Sequence, residues 1–371
     1  MDLTFTFEQQ QLRNSVQKML QGCASRSQGA VSGQEVHNQL VEMAILQLAQ
    51  LEEEDSGVED GMASIVAVVE ELGRYRVAEP FLSTFLAARL LAPCIARQIG
   101  DIDHCLGIPG SVAIYEPGAR YAFDAPSVEA QEQDTGYLLN GTKIAVSACG
   151  DPSRFIVSAR ISESGQENIG LFAVNAEQAG VEMINYPTID GGQACSLLLE
   201  KVELKPEALL CRGDLAKRMI TDHVQVASLL LSAEALGLME RLLELTVEYC
   251  NQRRQFDKPI SKFQVIQHRL ADLYIHCESI RSLLYAALAN YVELSEDTKA
   301  SIAALKFKVG ELGRLAGEVS VQLHGAIGFT EEYSVGKYYK RLMVIDALYG
   351  NTDHQLQSYL LAESRSHSTT Q

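Results

Sequence analysis

Eight cysteines and eight histidines give the chain the means for thiol or metal chemistry, and their spacing removes most of it. Cys23, Cys94, Cys105, Cys149, Cys195, Cys211, Cys250 and Cys277 form no C-x-x-C pair, and no Cys/His cluster has zinc spacing. Most stand in apolar contexts and read as small core residues, which suits a reducing cytoplasm better than a secreted setting. Asp and Glu number 48 against 31 Lys and Arg, a formal net charge of −17. Such a surface repels nucleic acid and anionic membranes at long range, but a few local Lys or Arg can still hold an anionic ligand. The acidic run Glu52–Asp55 reads as solvated surface.

The elements that must position any site fall into three zones. Up to about Leu106 the pattern is helical: Phe7, Leu12, Val16 and Leu20 recur at helical spacing, and Val36–Leu51, Met62–Tyr75 and Ser83–Gln98 follow. Gly107-Ile-Pro-Gly then gives turn chemistry. From there to Leu210 short β-prone runs alternate with turns: Ser111–Tyr115, Gly136–Leu139, Phe155–Ala159, Ile169–Val174, Val181–Tyr186 and Ala194–Val202. Asn140-Gly141 predicts a two-residue hairpin turn, because both positions favour positive φ. Long amphipathic helices return after Cys211, over Asp214–Cys250, Phe263–Tyr291, Lys299–His324 and, as one or two pieces, Val335–Leu361. The expected fold class is α+β: an N-terminal helical domain (1–108), a middle β-barrel or sandwich domain (109–211) and a C-terminal four-helix bundle (212–371). Met1-Asp-Leu-Thr-Phe lacks the charged-then-apolar pattern of an export signal, no stretch approaches the ~20 apolar residues of a membrane span, and Ser364–Gln371 is polar and aperiodic.

Four blocks, in order, resemble the acyl-CoA dehydrogenase family. Arg253-Arg-Gln-Phe256-Asp-Lys-Pro-Ile260-Ser-Lys-Phe263 is similar to its R-x-Q-F-G-x-P-I-x-x-F block. Val69-Glu-Glu-Leu-Gly-Arg74, Tyr137-Leu-Leu-Asn-Gly-Thr-Lys143 and Gln322-Leu-His-Gly-Ala-Ile-Gly328 resemble three more. The resemblance implies the three-part fold just read, FAD, and α,β-dehydrogenation of a CoA thioester, with an electron-transfer flavoprotein as acceptor.

It also implies a division of labour within the site. In that family each FAD lies across a dimer interface, and the neighbouring subunit touches its pyrophosphate and adenine through R-x-x-F and Q-x-x-G. Here those donated positions are Arg253, Phe256, Gln322, Gly325 and Ala326, with Asp257 and Ala326 standing where glycines are usual. A guanidinium pairs well with a pyrophosphate, and a glycine lets backbone approach one closely. The flavin's home side is altered. The T-E-P-G-A-G-S-D stretch reads Tyr115-Glu-Pro-Gly-Ala-Arg120-Tyr121-Ala122, and the flavin-covering aromatic of W-[IV]-[TS]-N is lost from Ala145-Val-Ser147-Ala148. The family's catalytic Glu falls at Tyr349 or Gly350, and the alternative base position on the first long bundle helix is Ala227, followed by Ser228. Neither is a carboxylate, and a Tyr with an unperturbed pKa of ~10 is a poor base at pH 7. Glu234, Asp346 and Asp353 lie near these segments and read first as surface or capping acids.

These features match degenerate subunits of two-plus-two heterotetramers that act on steroid side-chain CoA thioesters, down to the tyrosine pair Tyr338-Tyr339. The implied role is a non-catalytic subunit that completes a catalytic paralogue's FAD site, half the sites being lost to leave room for a bulky substrate. Two alternatives stay open: a self-sufficient homotetramer with an unusual base, and a non-redox scaffold of the same fold.

Overall fold

The computed structural model describes residues 5–26, 31–50, 58–98, 109–163, 166–293, 295, 297–330 and 333–368. The run Glu52–Asp55, Cys105, Gly107, Ile108 and the end of the tail lie outside them, as does the side chain of Cys94. The chain forms two compact units, each assembled from separate segments: 1–31, 57–78 and 227–371 in one, 32–56 and 79–226 in the other. Helices give way to strands at Gly110 and strands to helices at Asp214.

The second unit is built on a mixed eight-stranded sheet: β1 (Gly110–Ala113), β2 (Glu129–Gln133), β3 (Gly136–Ser147), β4 (Arg154–Glu163), β5 (Gln166–Asn175), β6 (Val181–Pro187), β7 (Gln193–Leu204) and β8 (Leu209–Arg212). Their order is β6-β7-β3-β2-β4-β5-β8, with β1 parallel to β4. Alternate side chains from six of these strands, among them Leu139, Val146, Phe155, Phe172, Leu197 and Val202, share one core, so the sheet wraps around its own apolar face. Two helices, Gly33–Glu42 and Phe81–Gln98, join it. In chain order the helices are α1 (Phe7–Arg26), α2 (Gly33–Glu42), α3 (Val58–Tyr75), α4 (Phe81–Gln98), α5 (Asp214–Gln252), α6 (Gln264–Val292), α7 (Thr298–His324), α8 (Ser334–Ala347) and α9 (Thr352–Ser368). Of these, α2 and α4 belong to the sheet unit, and α5 starts there.

The Asn140-Gly141 expectation is corrected. β3 runs unbroken from Gly136 to Ser147, and the hairpin turn lies at Asp134-Thr135, between β2 and β3. Asn140 and Gly141 instead form an irregularity in the β3–β7 pairing, where the Asn140 side chain accepts from Lys201 N at 2.8 Å. Gly141 has φ 138°, and a Cβ there would come within 3.0 Å of the Val128 backbone. The glycine serves a close strand crossing, a use that shares its local signal with a turn. β2 escapes sequence reading because, of Glu129-Ala-Gln-Glu-Gln133, only Ala130 is buried; pairing with β3 and β4 makes it a strand, not apolar alternation.

The first unit is helical: α1, α3, the greater part of α5, and α6 to α9. Its Glu-Glu-x-Gly-Arg block is a buried ion hub. Glu70 and Glu71 on α3 are buried, and Arg13 of α1 reaches both, at 2.7 and 2.8 Å. Arg281 of α6 pairs with Glu70 at 3.3 Å and also with Glu240 of α5; Arg74 pairs with Glu240 at 2.9 Å and with Glu244. Five of the described cysteines are buried, and burial pushes the Cys195 thiol up to about 11 and that of Cys277 to about 12, as inert core thiols require. No helix among the described residues is long and apolar enough to cross a membrane.

Glu70→Ala leaves two arginines facing an emptied, buried site, and the expected cost is about 3–5 kcal/mol in urea unfolding. Arg314→Ala, which breaks the exposed pair with Glu318, is expected to change stability by less than about 1 kcal/mol.

Candidate functional site

Arg253 follows directly on α5, and its N–H still donates to the Tyr249 carbonyl, 2.8 Å away. Arg254-Gln255 and Lys258-Pro259 then pair as a small antiparallel ribbon, β9 and β10, around the two-residue loop Phe256-Asp257. Both loop residues are left-handed, at φ 50° and 62°, as a two-residue hairpin of this kind demands. Asp257 therefore stands where a glycine would be easier, and Asp is one of the few residues that tolerate the conformation. The Arg254 guanidinium donates to the Asp257 carbonyl at 2.7 Å, tying the loop down. Phe256 is left 86% exposed, its ring edge-on to Phe263 at 6.1 Å. Arg253 is exposed too, with no acid in ion-pair range among the described residues.

The second motif closes α7. Gln322 is exposed on the last turn, and Gly325 ends the helix at φ 65°, ψ −143°, a region that glycine alone enters readily. Its N–H donates to the Gln322 and Val321 carbonyls, and a Cβ on it would meet nothing in this chain within 4 Å. Ala326, Ile327 and Phe329 continue an exposed 3-10 turn. The two motifs are brought together by ring stacking: His324 lies on Tyr249, centroids 4.4 Å apart. Arg253-Phe256 and Gln322-Ala326 thus emerge from the same end of the helical unit.

The positions that align with the base lie on a turn between α8 and α9. Tyr349 and Gly350 are both left-handed, at φ 55° and 107°. The turn is clipped through its carbonyls. Lys306 of α7, fully buried, donates to Ile345 O at 2.7 Å, Asp346 O at 3.3 Å and Gly350 O at 3.4 Å, while Gln355 donates to Tyr349 O at 2.8 Å. Burial lowers the Lys306 pKa to about 8, so the ammonium persists at neutral pH. The nearby acids are committed elsewhere. Asp346 accepts from the N–H and hydroxyl of Thr352, capping α9. Glu234 is buried in a two-pronged pair with Arg341, at 2.7 and 2.8 Å. Asp353 is exposed in the first turn of α9, and Ala227 and Ser228 are buried. Among the described residues, no three His, Cys, Asp or Glu could share a metal ion.

The altered loop belongs to the sheet unit. Its Glu116 is buried and accepts from Lys143 Nζ at 2.5 Å, the Ser127 hydroxyl at 2.6 Å and Val128 N at 3.1 Å; Lys143 also donates to Ser158 at 2.9 Å. Burial alone would raise the Glu116 pKa, but Lys143 and Ser127 together hold it below the usual carboxylate range. Lys143 is lowered to about 8 by burial, so both groups are ionised at pH 7. Around this anchor the loop packs on itself: Tyr115 sits edge-on to Phe123 at 5.0 Å, and Tyr121 lies 6.3 Å from the same ring. Arg120 is exposed and left-handed, at φ 49°. At Ala145, φ 51°, the N–H donates to the Tyr186 hydroxyl at 3.1 Å.

Residues 218–360 match the family model described as "Acyl-CoA dehydrogenase, C-terminal domain". A 3-(aryl)acrylate reductase of Clostridium sporogenes is 30% identical over 264 residues, which cover 68% of this chain and 67% of that protein. The chain belongs to the acyl-CoA dehydrogenase family. Among solved structures, the ChsE4-ChsE5 complex from Mycobacterium tuberculosis is similar with a TM-score of 0.81 at 25% identity, over 96% of this chain and 97% of that one. A "Tcur3481-Tcur3483 steroid ACAD" variant gives 0.81 at 25% identity, covering 98% and 100% of the two chains. Butyryl-CoA dehydrogenase of Megasphaera elsdenii gives 0.84 at 25% identity, over 98% and 99%.

An acyl-CoA dehydrogenase implies FAD, and the two parts of this chain fit that group unequally. The Arg253 end presents an exposed cation, an exposed aromatic ring and a glycine backbone with open space before it, which suits a nucleotide diphosphate. In the altered loop two tyrosines, Tyr115 and Tyr121, stand where the family pattern has small hydroxyl residues, and both rings pack on Phe123.

Tyr249, His324, Lys306 and the Glu116–Lys143 pair were not singled out from the sequence. Lys143 and Glu116 both stand inside family-like blocks, but their 27-residue separation hides the pairing. Because its folded pKa is depressed, Glu116 contributes stability that is complete above about pH 4.5 and lost as the pH falls through the folded value. Glu116→Gln is expected to lower the urea midpoint at pH 7 and to flatten its decline below pH 4.5.

Proposed function

We propose that this chain is the non-catalytic subunit of an FAD-dependent acyl-CoA dehydrogenase, completing the FAD site of a catalytic paralogue in a two-plus-two heterotetramer. The observation that carries this reading is the asymmetry between its two ends. Arg253, Phe256, Gln322, Gly325 and Ala326 are exposed, whereas the base turn holds Tyr349 and Gly350 and the buried carboxylate Glu234 is paired with Arg341. In this reading Arg253 holds the partner's pyrophosphate and Gly325 lets backbone approach it. Bound there, FAD would supply hydride acceptance at the β-carbon of an acyl-CoA thioester, and the carboxylate for the α-proton would be the paralogue's.

Likeness to a two-protein complex and to a steroid ACAD pair supports both the paralogue partner and a steroid or sterol side-chain thioester as substrate. The electrons then pass to an electron-transfer flavoprotein. A self-sufficient enzyme would need an acid that the base turn lacks, and a scaffold without flavin would have no use for an exposed Arg253 beside an open glycine.

Purified alone, the chain is expected to be colourless. Co-expressed with the acyl-CoA dehydrogenase paralogue of the same genome, it is expected to yield a yellow complex with about one FAD per heterodimer. Arg253→Ala removes a charge-assisted contact of about 1.5–3 kcal/mol, so FAD affinity of the complex should fall roughly tenfold to hundredfold. A yellow chain with stoichiometric flavin in the absence of any partner would overturn the assignment.

A further inference from the structure

The donated-site reading leaves one group unexplained, and the inference drawn from it rests on that reading. His324 is the last residue of α7, and it is 3% exposed. Its Nδ1 lies 2.7 Å from the Ser320 carbonyl one turn back. A carbonyl oxygen only accepts, so Nδ1 carries the proton and, in the neutral ring, Nε2 is a bare acceptor. Nε2 is buried without a hydrogen-bond partner among the described residues. Burial lowers the imidazole pKa, although the bond to Ser320 opposes this, and the neutral form is the one this arrangement needs.

A polar ring is thus held where a phenyl ring would leave no acceptor unsatisfied, and what it does there is stack. Tyr249 lies nearly parallel to it, at 4.4 Å and 29°; Tyr333, just before α8, lies at 5.2 Å and 51°. Stacking at these separations is directional, unlike simple apolar contact. Each side of the stack leads directly to one motif. Tyr249 O receives the Arg253 N–H, and the next residue after His324 is Gly325. The ring contact ties the Arg253–Phe256 ribbon to the Gln322–Ala326 turn.

We propose that His324 is a positioning residue for the donated cofactor site: its ring, oriented by Ser320 and stacked on Tyr249, sets the spacing between Arg253 and Gly325 that one ADP moiety must span. The stack carries the function, and the bond to Ser320 only aims the ring.

The test uses the co-purified complex with its paralogue and measures FAD dissociation by flavin fluorescence, with thermal unfolding of each variant alongside. His324→Phe keeps a ring and is expected to hold FAD within about twofold of wild type. His324→Asn keeps a donor for Ser320 but loses the ring, and is expected to bind FAD at least about tenfold more weakly with a Tm within about 3 °C. His324→Ala should match His324→Asn. Wild-type affinity in His324→Asn, or a loss in His324→Phe equal to that in His324→Asn, overturns the stacking role. Arg253→Ala separates the two levels. If it weakens FAD binding while the His324 variants do not, only the positioning role fails; if it leaves FAD affinity unchanged, the donated site itself fails and the positioning role falls with it.

Discussion

Two carboxylates buried side by side on one helix cannot remain charged without cations brought to them, and Glu70 and Glu71 impose that requirement on the helical unit. Arg13, Arg281 and Arg74 answer it from three helices, and Glu240 and Glu244 extend the chain of charges along α5. Apolar faces alone would let helices slide or rotate by a turn at little cost, since burial of apolar area is non-directional. Ion pairs with fixed geometry do not. The hub therefore sets the register of α1, α3, α5 and α6, and α5 in turn delivers Tyr249 and Arg253 to the far end, where α7 delivers His324 and Gly325.

On the proposed reading, the same unit carries a surface given to a neighbour's cofactor and a turn that holds Tyr349 and Gly350 where a carboxylate would act. Such a combination makes sense when the two belonged to different sites from the outset. In a protein whose cofactor spans two subunits, the residues given to a neighbour are under a different constraint from those kept at home. Loss of one set leaves the other useful. In the sheet unit the buried Glu116–Lys143 pair anchors the loop from within, while Tyr115 and Tyr121 both pack on Phe123.

Most of the architecture was legible in the sequence because its elements are long and periodic. The stripe Phe263, Ile266, Leu270, Leu273 and Cys277 marks the first half of α6, and the β-prone runs Ile169–Val174 and Ala194–Val202 fall within β5 and β7. Reading failed where a local signal has two physical uses, as at Asn140-Gly141, and where pairing rather than polarity makes the strand, as at β2. The candidate site was legible as a set of motifs, since Arg253, Phe256, Gln322 and Gly325 carry spacing in themselves. Its assembly was not: the Tyr249–His324 stack joins residues 75 apart in number only once both helices are packed, and the commitment of Glu234 to Arg341 is 107 residues long.

The turn at Tyr349 and Gly350 is held by its backbone. Lys306 and Gln355 grip four carbonyl oxygens, and the Tyr349 side chain takes no part in those four bonds. Residue identity is constrained at 350, where φ is 107° and a Cβ would come within 2.5 Å of Gln355, more tightly than at 349. A change of side chain at 349 can therefore alter the chemistry offered there while the grip on the turn's carbonyls stays in place.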